Sequence, residues 1–289
     1  MSPCRISRLG VDFVGSKITL ARTGNDAGSH SFRRFELDIS NGTIFVSEVT
    51  GTAILLILGC GVVATGILKG SKGEGGGWLL INWGWGLAVF AGIYVAFRSG
   101  GHINPAYTLS QWILGRITFT QSLVYYAAEL IGAFIGAVIA WLAFKEHFDT
   151  EEDAGKKLAV FSTGPAIRNY AWNTLTEVIG TFVLVFVILI APGTTTSIDG
   201  TFGGIGGPLF VGLLVVGIGA SLGGPTGYAI NPARDLGPRI AHFILPIKGK
   251  GGSDWAYSWV PIVGPMIGGA LGAWAFLALG GTGIFPGVV

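Results

Sequence analysis

The chain is organised as eight apolar stretches, six of them long and two about half as long. A hydrocarbon core about 30 Å thick takes roughly 20 helical residues to cross. The long stretches fall near 43–68, 79–98, 120–144, 171–192, 204–223 and 256–280. The short ones, near 104–115 and 231–243, would rise through only about half a membrane at 1.5 Å per residue. Both short stretches open with one tripeptide, Asn104-Pro105-Ala106 and Asn231-Pro232-Ala233. Proline suits the first turn of a helix, where no N–H is needed, so a helix is predicted to start at each.

The pattern runs twice. SEVTGTAILLIL (47–58) matches TEVIGTFVLVFV (176–187), and GAFIGA (132–137) matches GPMIGG (264–269). One copy contains three full segments and one half-segment. Three is odd, so the second copy must begin on the opposite side of the membrane. The repeat is therefore inverted, and the two half-helices enter from opposite faces to meet at the midplane. Broken helices are tolerated at that depth only where they line a cavity or are buried in protein. Both breaks are expected to face one shared cavity. The expected fold is an all-α membrane protein with six transmembrane helices and two re-entrant half-helices.

Composition narrows the function classes. Only 12% of the 289 residues are charged and 50% are hydrophobic, about half the charged share of soluble proteins. Many of the 49 glycines lie within apolar runs, where small residues let helices approach closely. A net charge of +2 gives no footing for nucleic acid. Cys4 and Cys60 form neither a disulfide framework nor a metal-binding spacing. His30, His102, His147 and His242 are scattered and supply no nucleophile–base pair, so an enzyme is not expected. Residues 1–40 carry Arg5, Arg8, Lys17, Arg22, Arg33 and Arg34 without a sustained apolar core. They read as a solvated tail beside the membrane and not as a signal peptide. The expected organisation is this tail, a channel domain over 41–282 with repeats at 43–144 and 171–280, and a short tail over 283–289.

Two half-helices meeting end to end aim partial positive charge and free N–H groups at one spot. Asn104 and Asn231 are expected to present their side-chain amides there, two N–H donors each. That arrangement suits a passing neutral oxygen and opposes a cation. Glu48 and Glu177 occupy equivalent repeat positions inside apolar segments, where a carboxylate is costly and usually paired or functional. Each is expected to accept hydrogen bonds from the neighbouring re-entrant backbone. Glu129 is the nearest further acid, and a proton relay would call for such a partner. His102 is read as bracing its loop or lining the pore.

These paired tripeptides within an inverted repeat resemble the aquaporin family, and specifically its glycerol-conducting branch, over about residues 43–280. The resemblance implies a passive channel for glycerol and other small neutral solutes with some water flux, excluding ions and protons. It also implies a homotetramer in the plasma membrane, termini in the cytoplasm and no cofactor or metal. The basic residues on the two sides do not by themselves decide the orientation. By resemblance the constriction is formed by Trp85, Gly219, Tyr228 and Arg234. Trp83 and Gly84 are alternatives for the first, because the chain is one residue shorter between that run and Asn104. Gly219 would widen the opening, Trp85 and Tyr228 would form aromatic walls, and Arg234 would donate to hydroxyls on the other side. Asp235, Arg239 and Pro261-Ile262 also fit the glycerol-conducting pattern, with Asp235 tying down the loop beside Arg234. Tyr228 stands where phenylalanine is common in that branch. A water-selective pore is the competing reading, and an ion-coupled transporter is a more distant one.

Overall fold

The structure is a computed structural model that describes residues 39–191 and 206–281. The expected tails, residues 1–38 of the first and 283–289, lie outside the described residues, as do Cys4 and the start of the segment expected at 204. All the regular elements among the described residues are helical.

The first repeat contains α1 (Asn41–Ile67), α2 (Gly77–Val95), the half-helix α3 (Pro105–Ile113) and α4 (Phe119–Ala143). The second contains α7 (Tyr170–Ile190), α8 (Gly206–Leu222), the half-helix α9 (Pro232–Ile244) and α10 (Val260–Ala278). Between them lie two short helices, α5 (Lys145–Thr150) and α6 (Ala154–Phe161), which the hydropathy pattern does not announce. Asp153 starts α6 by accepting the N–H groups of Gly155 and Lys156. Local chemistry also sets several other boundaries. Ser40 caps α1, Asn169 caps α7, and Thr118 with Gln121 forms a capping box on α4. α2 stops before the expected residue 98, because the chain tightens into a 3-10 turn at Phe97–Ser99 and leaves it through Gly100 at φ 94°.

Among the described residues, five helices (α1, α2, α4, α7 and α10) are long and apolar enough to cross a membrane, and α8 is a shorter apolar helix. Their packing repeats between the halves. α1 lies on α4, where a Cβ on Gly132 would come within 2.5 Å of the Val49 carbonyl oxygen. α7 lies on α10, where a Cβ on Gly264 would meet the Glu177 Cβ at 2.6 Å. α2 and α8 cross at Gly86 and Gly212, each of which would set a Cβ 2.6 Å from the other's carbonyl oxygen. Such reciprocity is what a two-fold relation between the halves requires. Each half-helix leans on the opposite repeat: Gly269 of α10 abuts the Ala106 carbonyl of α3, and Gly237 of α9 abuts Ala133 of α4.

Polarity is arranged for a lipid exterior, with polar side chains held inside. Val46, Leu79, Leu142, Leu213 and Leu277 are exposed, whereas Glu48, Asn82, Glu129, Glu177, Asp235 and Arg239 are buried.

Candidate functional site: a cavity where the two half-helices meet

Asn104 and Asn231 have extended backbones (φ −156° and −157°) and cap the half-helices they precede. The Asn104 side-chain oxygen accepts the Ala106 N–H, and that of Asn231 accepts the N–H groups of Ala233 and Arg234. Their nitrogens cross the midplane. Asn104 Nδ2 donates to the Ile230 carbonyl at 2.8 Å, and Asn231 Nδ2 donates to the Ile103 carbonyl at 2.7 Å. This corrects the expectation that both N–H groups of each amide are free for a solute. One of each pair holds the opposite loop, because a carbonyl buried at that depth must find a donor inside the protein. One N–H per asparagine remains, and both asparagines line the cavity.

The loops before these caps are strained. Ile103 and Ile230 sit at φ 45° and 43°, and Tyr228 at 37°, values unusual for any residue with a Cβ and more so for β-branched ones. Two carboxylates hold this geometry. Glu48 Oε1 accepts the His102 N–H at 3.0 Å and Oε2 accepts the Ile103 N–H at 2.6 Å. Glu177 does the same for Ala229 at 3.0 Å and Ile230 at 2.9 Å. Glu48 also accepts the Ser99 hydroxyl. The matched positions of the two acids in the repeat thus have matched contacts.

Glu129 belongs to the same assembly. Its Oε1 accepts the Asn104 N–H at 3.2 Å and the Thr108 hydroxyl at 2.8 Å. Thr108 in turn meets His102 Nδ1 at 2.8 Å. The His102 ring stacks on Tyr125, with centroids 4.0 Å apart, and meets Tyr107 edge-on. His102 both braces its loop and lines the cavity. The sequence signal for Glu129 was its charge within an apolar segment. Thr108, Ser99 and Tyr125 carry no comparable mark.

The cavity is lined by two kinds of segment. Leu55, Trp85, Val89, Leu184, Ile188, Val211 and Val215 present apolar surface, whereas residues 100–104 and 228–231 supply the strained loops. Arg234 lines it as well. Of the three candidates on α2, Trp85 is buried and lines the cavity, while Trp83 is exposed and the missing Cβ of Gly84 faces Val62. The Arg234 guanidinium lies over the Trp85 ring, 4.0 Å from its centroid. The two are therefore in contact and do not face each other across a gap. A desolvated cation gains from the ring's negative face, which explains the stacking. Tyr228 makes the second aromatic surface, edge-on to Trp78. The space beside Gly219 is also occupied, since a Cβ there would stand 2.5 Å from Asn82 Oδ1 and 2.7 Å from Tyr228 Cζ. Gly219 accommodates its neighbours and does not itself line the cavity.

Asp235, with Arg239, ties together the loops at Thr163 and Ser253. Its carboxylate accepts the N–H and hydroxyl of Thr163, each at 2.7 Å, and pairs with Arg239, both side chains being fully buried. Arg239 also donates to the carbonyls of Thr163, Ser253 and Asp254. Thr163 packs on Gly227, the residue before Tyr228, so this buried pair steadies the approach to the cavity. At the far end of α1, burial works against ionisation of Glu151. Hydrogen bonds from the Asp153, Lys69 and Glu152 N–H groups, with nearby Lys156, outweigh it and hold the carboxyl below its usual range.

The arrangement matches that of known proteins. The major intrinsic protein family matches residues 38–276. The chain is 52% identical over 232 residues to the probable glycerol uptake facilitator protein of Thermotoga maritima, covering 80% of this chain and 97% of that one. It is 51% identical over 235 residues to glycerol uptake facilitator protein 3 of Lactiplantibacillus plantarum, covering 81% and 95%. Among solved structures, the aquaglyceroporin from Plasmodium falciparum aligns with a TM-score of 0.72 at 29% identity, covering 86% of this chain and 99% of that one. With an inverted repeat, paired Asn-Pro-Ala half-helices and apolar spans throughout, the chain is a multi-pass membrane protein and belongs to the major intrinsic protein family.

Proposed function

We propose that this protein is a passive pore for glycerol and similar small neutral solutes, with some water flux. The observation that carries the reading is the junction of the half-helices. Two positively polarised N-termini, joined by the reciprocal asparagine bonds, open on a largely apolar cavity that also presents His102, Asn104, Asn231 and Arg234. A linear polyol has a C–H edge and a hydroxyl edge, which suits such a slot. The names of the relatives at 52% and 51% identity point to the same solute.

Trp85, Tyr228 and Arg234 form the constriction in this reading, and Gly219 makes room for it. Because the Arg234 guanidinium covers one face of Trp85, the carbon backbone slides along the Tyr228 ring and the aliphatic lining while hydroxyls meet Arg234 and then the remaining N–H of each asparagine. The Arg234 charge and the two helix N-termini repel cations, and fixed donors at the midplane orient water oxygens and interrupt proton transfer along a water chain. Glu48, Glu177, Glu129, His102 and Asp235 hold the loops. We place the protein in the plasma membrane, surrounded by lipid, as a homotetramer with one pore per subunit and cytoplasmic termini.

The test is light scattering from proteoliposomes mixed with glycerol and, separately, with an impermeant osmolyte. The reading predicts shrinkage followed by fast re-swelling in glycerol. Fast water loss without re-swelling would reassign the chain as a water channel.

A further inference from the structure

The chemistry behind the constriction is not accounted for by the four positions already described. Asn82, on α2, is fully buried, and neither atom of its amide has a hydrogen-bond partner among the described residues. The Tyr228 hydroxyl is likewise buried without a partner. Asn82 Oδ1 and Tyr228 Cζ flank a single point, the place a Cβ on Gly219 would occupy, at 2.5 and 2.7 Å. The Tyr228 ring lies along α8, with Cδ1 against the open face of Gly223 and its tip against Gly219. One turn before Asn82, Trp78 fixes the same stretch by donating from Nε1 to the Gly219 carbonyl at 3.1 Å.

An amide and a phenol stranded side by side in a membrane interior are costly apart and complementary together. The amide oxygen accepts and the phenol O–H donates. We propose that Asn82 is a specificity-determining positioning residue. The two groups are not bonded as they stand; a small rotation of the amide brings Oδ1 onto the Tyr228 hydroxyl beside Gly219, and that bond keeps the aromatic ring folded against α8 and the hydroxyl out of the conduction path. This rests on the reading of Tyr228 as part of the constriction. Without Asn82 the hydroxyl turns toward the slot, where it crowds the C–H edge of a polyol more than it hinders water.

The test is a double-mutant cycle on the ratio of glycerol to water permeability in proteoliposomes, using Asn82→Leu, Tyr228→Phe and the pair. Loss of one buried neutral hydrogen bond corresponds to about a two- to tenfold change. Asn82→Leu is expected to lower the ratio by that factor when Tyr228 is present. In the Tyr228→Phe background it is expected to leave the ratio where Tyr228→Phe alone sets it. Asn82→Thr, which keeps a hydroxyl acceptor, is expected to restore the ratio, and Asn82→Ala replaces the leucine variant if that one does not insert. An equal drop in both backgrounds would overturn the inference, because Asn82 would then act through packing alone. No drop with Tyr228 present would also overturn it while leaving the pore reading intact. An unsubstituted protein that passes no glycerol would overturn both.

Discussion

Replacing Glu177 with glutamine tests what holds the second re-entrant loop. The carboxylate accepts the Ala229 and Ile230 N–H groups through separate oxygens. Glutamine has almost the same shape but keeps one acceptor, and its NH2 group would face the other N–H. One buried backbone donor is then stranded, at a cost of about 1–3 kcal/mol. The same loop holds Tyr228 and Ile230 at positive φ, each a strain of order 1–3 kcal/mol. The lost support is thus comparable with the strain that it restrains. Glu177→Gln is expected to lower the unfolding free energy in mixed micelles by about 1–3 kcal/mol and to slow glycerol re-swelling. Glu48→Gln should behave alike, since Glu48 binds His102 and Ile103 in the same manner. If both variants unfold within about 0.5 kcal/mol of the unsubstituted protein and conduct normally, the carboxylates do not hold these loops.

Other substitutions probe separate parts of the account. Gly219→Ala places a methyl group against Asn82 and Tyr228. It should cost about 1–3 kcal/mol by overpacking and depress glycerol passage more than water passage, as stopped-flow scattering would show. Gly219→His with Tyr228→Cys should shift the balance further toward water. Arg239→Leu leaves Asp235 as a buried, unpaired charge and should destabilise the protein by about 3–5 kcal/mol, measurable by thermal unfolding in detergent. Glu151 has a carboxyl held below its ordinary pKa of 4.5 in the folded protein. The stability it contributes is present above that pH and is lost as the pH falls through the lowered value. The stability difference between the unsubstituted protein and Glu151→Gln should therefore shrink below pH 4.5.

Periodic features of this fold were legible in the sequence because they are repeated. Apolar length marked the spans, Asn-Pro marked both half-helix starts, and the Glu48–Glu177 match anticipated contacts that the structure shows on equivalent backbone groups. Pairings across the midplane were not legible. That Asn104 and Asn231 each give one N–H to the opposite isoleucine carbonyl depends on loop geometry, not on residue type. The choice of Trp85 over Trp83 required knowing which face of α2 turns inward, and a helix apolar on all sides does not reveal this. Asn82 carries no signal of its own, because a lone asparagine in an apolar run has no motif and its significance comes from Gly219 and Tyr228, which are distant in sequence. The stacking of Arg234 on Trp85 is a tertiary contact of the same kind. α5 and α6 are too short for a periodic signal, and of the two α6 alone has a capping aspartate.

The central claim is that solute crosses a fixed pore down its own gradient. It is tested most directly by the glycerol flux into proteoliposomes, measured over a range of temperatures with and without an imposed proton gradient. The account predicts a flux proportional to the glycerol gradient, a low activation energy and no response to the proton gradient. A flux that saturates, rises steeply with temperature and follows the proton gradient would contradict it, and would instead make Glu48, Glu129 and His102 parts of a coupled transporter.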